Sequence, residues 1–180
     1  MNVSDKQWKN LFLVCAGLFI GAAFCMKWME GDLLVNGEKF TIMGLELFYS
    51  KEKVMALLGN PGDPIKTILN YHLHFDFAFM AGVFPGIAAL CMMVRGKVRS
   101  SVFKKMLFLL ALLQLAAWAG DIYENLSLIK WVKEPVIGDE FALYHFIVAA
   151  KWIIALTGAL VPGVVLLFPR KKELKTHFIF

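Results

Sequence analysis

With 180 residues, 59% of them hydrophobic and only 18% charged, and a mean hydropathy of +0.63, the chain lies outside the range of ordinary soluble domains. Its net charge of +5 invites a nucleic-acid reading, but no basic surface interleaved with aromatics supports one, so nucleic acid is excluded as a partner. The lipid bilayer is the partner this composition selects, and the sequence requires no cofactor.

About 20 apolar residues cross a ~30 Å hydrocarbon core. Four segments, about 10–29, 64–94, 105–127 and 141–168, reach that length, with an outer loop at 30–63. The expected fold is an all-α integral membrane protein, a single four-span domain over 1–180. It is a four-transmembrane-helix bundle with a small outer cap, a β-hairpin plus a short helix, in the first loop. Basic residues gather in Lys6 and Lys9, in Arg95, Lys97, Arg99, Lys104 and Lys105, and in Arg170, Lys171, Lys172 and Lys175. All fall on one side of a four-span chain, opposed there only by Asp5 and Glu173. The positive-inside rule then places both termini in the cytoplasm, in a plasma or inner membrane.

In span one, Lys6 and Lys9 precede an apolar run, and Gly21-Ala22-Ala23 imitates a signal-peptide cleavage site; the segment is read as a retained span. Gly17-x-x-x-Gly21 offers a small-residue face for close helix approach, expected inside the monomer, with a homo-oligomer as the other use. Lys27 and Trp28 sit where an interfacial anchor belongs. Cys15, Cys25 and Cys91 lie within spans, and no outer-loop cysteine is present to staple an outer domain.

The first outer loop is long enough to need structure of its own. Leu33-Leu34-Val35, Asn36-Gly37 and Glu38 to Leu45 read as a hairpin with a type I′ turn. Ser50 is placed to cap a short helix through Val54, Met55, Leu57 and Leu58. Gly59-Asn60-Pro61-Gly62 breaks the chain, and Asp63-Pro64 reads as an N-cap followed by a first-turn proline that starts span two. A Trp closing span one, a β-structured first outer loop and Gly44-Leu45-Glu46 resemble the claudin-type tetraspan plan. That plan has Trp where Glu46 stands, and a pair of loop cysteines that this loop lacks, so no function is carried over.

Span two carries Ala78, Gly82 and Gly86 at four-residue spacing beside Pro85, and span four carries Gly158, Pro162 and Gly163. Both are close-packing stripes in kinked helices, and packing is the commoner reason for them.

The chemistry of the sequence is a layer of ionisable residues in three spans. Lys105 to Asp121 is sixteen residues, about 24 Å of helix, which puts Asp121 just inside the far edge of the hydrocarbon. Glu124, Asn125, Asp76 and Lys151 fall near the same level, with His72, His74 and His145 beyond it at headgroup depth. Gln114, Trp118, Asp121 and Asn125 recur at intervals of four, three and four and so share one face, which should turn into the bundle. His72 and Asp76 share a face of span two, and Tyr144, Val148, Lys151, Ala155 and Gly158 one of span four.

Three uses compete for this polar cluster of Asp76, Asp121, Glu124, Asn125, Lys151 and Gln114. In the first, Lys151 pairs with Asp121 or Asp76 as an internal ion pair. In the second, the acids bind a cation, a proton or a lipid ligand in transport or gating. In the third, a membrane-embedded enzyme acts on a lipid-like substrate, using Asp121 and Glu124 as acid and base or His72, Asp76 and His145 as metal ligands. No His-Glu-x-x-His or Gly-x-Ser-x-Gly motif supports catalysis, and catalytic residues stay unknown. The favoured reading is a non-catalytic transport, sensing or assembly module.

Overall fold

The structure, a computed structural model, describes residues 5–59 and 61–167. The basic tail from Arg170 to His177 lies outside the described residues, as does Asn60. Four long helices carry the chain: α1 (Asp5–Glu30), α3 (Asp63–Lys97), α4 (Ser101–Lys133) and α5 (Glu140–Leu167). Each is long and apolar enough to cross a membrane. Between α1 and α3 lie strands β1 (Leu34–Val35) and β2 (Glu38–Lys39), a π-helical turn at Gly44–Phe48, and the short helix α2 (Lys51–Gly59). This is the all-α four-helix bundle with a hairpin-and-helix cap that the hydropathy pattern predicts.

Local chemistry explains the cap. Asn36 (φ 53°) and Gly37 (φ 80°) hold both central turn positions in the left-handed region, as a type I′ hairpin requires. The ladder is antiparallel and pairs Leu34 with Lys39 and Val35 with Glu38. The expected strand to Leu45 stops early, although Phe40 and Ile42 still alternate inward and are buried. The Thr41 side chain accepts from the Gly44 amide at 2.9 Å, and Glu30 accepts from the Ile42 amide at 3.3 Å. Side chains thus take over the donors that a partner strand would have satisfied. Ser50 caps α2 as expected, accepting from the Lys53 amide at 3.3 Å. At α3 the start moves by one residue. Gly62 is the N-cap, its φ of 76° closed to most side chains, and Asp63-Pro64 form the first turn.

The helices do not contribute equally. α3, α4 and α5 pack on one another, while α1 packs along α3. That seam is set by glycine: a Cβ on Gly82 would stand 2.6 Å from the Phe19 amide nitrogen and 2.9 Å from the Cys15 carbonyl. One turn along, a Cβ on Gly86 would meet the Cys15 Cβ at 3.2 Å, and Phe19 rests on Phe79 with ring centroids 5.0 Å apart. Gly17 and Gly21, expected to pack inside the monomer, have open space in front of them. The rotation of α1 on α3 turns Cys15, Phe19 and Ala22 inward and leaves those two glycines facing out.

The largest apolar core lies at the cap end. It joins Leu33, Phe40, Leu45, Val54 and Leu58 of the cap to Leu69 and Leu73 of α3, Leu128 and Trp131 of α4, and Tyr144 and Val148 of α5. The cap is therefore continuous with the tops of three spans. Smaller clusters around Met80, Phe84 and Ala117, and around Cys91, Leu110 and Ala111, fill the rest of the bundle.

Candidate functional site

Beneath the cap the polar faces of α4 and α5 meet at one ammonium. Lys151, with only 7% of its side chain exposed, contacts the carboxylates of Asp121 and Glu124 directly. The two acids are three residues apart on α4, so both project from one face onto Lys151 one turn deep in the junction. A third carboxylate comes from outside the spans. Glu46, in the π-helical turn of the cap, lies 3.7 Å from the Lys151 Nζ and is 13% exposed. The Trp152 Nε1 donates to Glu46 at 3.1 Å, and the Tyr144 hydroxyl donates to the neighbouring Leu45 carbonyl at 3.5 Å. α5 thus holds the cap through three contacts, from Tyr144, Lys151 and Trp152.

Asp76 of α3 lies beside the Asn125 amide and within electrostatic reach of Asp121, Lys151 and Glu46. It makes no ion pair with Lys151 among the described residues; of the two partners expected for that lysine, only Asp121 touches it. Asn125 is buried and donates to the Leu73 carbonyl at 3.0 Å, tying α4 to α3. Gln114 stands apart from this group. Two turns deeper, it donates to the Leu110 carbonyl at 3.2 Å and the Ile154 carbonyl at 3.3 Å, cross-linking α4 to α5. Gly158 lies against it, and a Cβ there would strike the Gln114 amide and Ile87. On the other side of Gly158, the Cys91 thiol donates to its carbonyl at 3.3 Å.

The histidines take separate places. His72 is buried, beside the stretch of α3 whose Leu69 and Leu73 pack into the cap core. His74 is exposed, its Nδ1 2.6 Å from the Asn70 carbonyl. His145 packs on the Phe141 ring, with centroids 4.6 Å apart. Among the described residues no three His, Cys, Asp or Glu side chains are arranged to hold a metal ion. The expected set of His72, Asp76 and His145 is therefore not assembled. Where carboxylates do converge, the Lys151 ammonium already stands between them.

The electrostatics turn on an excess of acid. Around Glu46 stand Asp121 and Glu124 of α4, Asp76 of α3, and Lys151, Trp152 and Tyr144 of α5. One fixed cation serves four carboxylates. Burial pushes the Glu46 carboxyl above its ordinary value of 4.5, and the charge on Asp121 adds to the rise, while Lys151 and the Trp152 N–H pull the other way.

Glu46 is the member that periodicity does not find, because a loop side chain has no helical face to betray it. A signal was present all the same. Ile42 to Phe48 reads Ile-Met-Gly-Leu-Glu-Leu-Phe, a run whose single ionisable residue must find a partner once the run is buried. Comparison of the chain with protein-family models, with curated proteins and with solved structures finds no match.

Proposed function

We propose that the chain is a non-catalytic sensing module of a membrane, in which a buried polar network around Lys151 seats the outer cap on the spans and protonation of Glu46 sets how firmly the cap is held. The observation that carries this reading is the convergence of Glu46 from the cap with Asp121 and Glu124 from α4 on the single ammonium of Lys151. Three acids around one cation leave negative charge out of water, which is costly unless protons offset it. Glu46 belongs to the one element of the network that lies outside the four spans. The orientation follows from charge: the basic residues Arg95, Lys97, Arg99, Lys104 and Lys105 lie at the end of the bundle opposite the cap, which faces the cap outward from the cytoplasm of a plasma or inner membrane.

The sign of the pH effect is set by linkage. A carboxyl whose docked pKa is raised binds more protons docked than free. Docking is then strongest below the ordinary glutamate value of 4.5 and is lost as pH rises through the raised docked value. Amide hydrogen exchange over residues 41–49, corrected for the intrinsic pH dependence of exchange, measures this. Protection in the wild-type chain should fall as pH rises above 4.5. Glu46→Gln, which keeps the oxygen that accepts from Trp152 but cannot ionise, should hold its protection across the range. A wild-type profile that is flat, or a Glu46→Gln profile that keeps the wild-type slope, refutes the reading.

A further inference from the structure

The contact between cap and bundle fixes how deep the first loop reaches. Counted from Lys105 at the basic end of α4, Asp121 is sixteen residues away and Glu124 nineteen, about 24 and 28 Å of helix. A hydrocarbon core is ~30 Å thick. A carboxylate 3.7 Å from the lysine that both these acids touch therefore lies at the edge of the hydrocarbon, not above the headgroups. The backbone that bears it is close to the same depth. Phe48 is two residues on, so its Cα is within about 8 Å of the Cα of Glu46.

Backbone at that depth must satisfy its own polar groups. The turn does so. The Gly44 amide donates to the Thr41 hydroxyl at 2.9 Å, the Leu45 amide to the Thr41 carbonyl at 3.2 Å, and the Tyr49 amide to the Gly44 carbonyl at 2.8 Å. The Leu45 carbonyl accepts from Tyr144, and the Ile42 amide donates to Glu30. Leu45 is buried in the cap core, and Leu47 packs against it. Two large apolar side chains remain turned out: Phe48, 72% exposed, and Met43, 47% exposed. Lysines bracket the stretch, the exposed Lys39 before it and the half-buried Lys53 after it, the latter paired with Glu38 at 2.8 Å and over the Tyr49 ring at 4.7 Å. An apolar, internally bonded turn between lysines at membrane-edge depth has the composition of an interfacial segment.

We infer that the Gly44–Phe48 turn is a membrane-inserted foot of the outer loop, with Met43 and Phe48 resting among the lipids of the cap-side leaflet. The cap is then held from two sides, by the ion network on α5 and by lipid. This inference rests on the Glu46 contact and on depth, and does not require that Glu46 titrate.

The wild-type chain in phosphatidylcholine vesicles tests it without substitution. Met55 on α2 is 36% exposed, less than Met43, so fold alone makes Met43 the faster of the two to react with hydroxyl radicals from water. With lipid covering the turn, the order inverts. Met43 and Phe48 should be oxidised more slowly than Met55, and a bilayer-soluble diazirine should label the peptide holding 42–48. Faster oxidation of Met43 than of Met55 in vesicles overturns the inference. So does protection without diazirine labelling, which would mean that protein, in the form of a second copy, covers the turn.

Discussion

The two helix seams of this bundle are held by opposite means. α1 meets α3 through absent side chains: Gly82 and Gly86 let the Cys15–Phe19 backbone come down onto α3, with ring contact at Phe19 and Phe79 beside them. α4, α5 and the cap meet through polar side chains: Lys151 shared among Asp121, Glu124 and Glu46, and Gln114 reaching the Ile154 carbonyl. In lipid the hydrophobic effect does not draw helices together, so an interface needs either close packing or buried polar contacts. The first kind is set by shape and is indifferent to pH. The second depends on charge, and it is the one to which the proposed reading assigns a response to protons.

Substitutions can separate these two modes. Lys151→Met leaves three carboxylates around an apolar side chain and should cost about 3–5 kcal/mol of unfolding free energy in detergent or bicelles. Adding Asp121→Leu should recover part of that loss, because the second change removes one of the stranded charges. Losses that simply add would deny the pairing. Gly82→Val should cost about 1–3 kcal/mol by forcing the backbones of α1 and α3 apart, with no change in the pH dependence of cap protection. Trp152→Phe removes one donor to Glu46 while keeping the aromatic bulk. It should weaken cap docking by about 1.5 kcal/mol, read as faster amide exchange over 41–49. The smallest effect belongs to Gly17→Leu and Gly21→Leu, which point into open space and should change monomer stability by no more than about 0.5 kcal/mol. A large loss there would mean that α1 packs on its other face.

Much of this arrangement was legible in the sequence because spans repeat every 3.6 residues. The face Gln114, Trp118, Asp121, Asn125 with Glu124, and the face Tyr144, Val148, Lys151, Ala155, Gly158, both follow from spacing; all are buried but Trp118 and Ala155, which are half-buried. Spacing alone did not say which small-residue face is used. Gly17-x-x-x-Gly21 and Gly82-x-x-x-Gly86 carry the same motif, and only the rotation of α1 on α3 decides that the second is packed and the first is not. Spacing gave the depth of His72 but not its burial, which depends on what folds over it. Glu46 was the least legible, because its partner lies 105 positions away on α5 and is reached only once the cap has folded.

Infrared titration of protonated carboxyl groups in the wild-type chain against Glu46→Gln bears most directly on the shared-ammonium account. The account predicts that, once signals common to both chains are subtracted, the wild type keeps a protonated carboxyl component above pH 4.5 that Glu46→Gln lacks, lost over the same pH range in which protection of residues 41–49 falls. A Glu46 carboxyl that ionises near 4.5, like a free side chain, would contradict it.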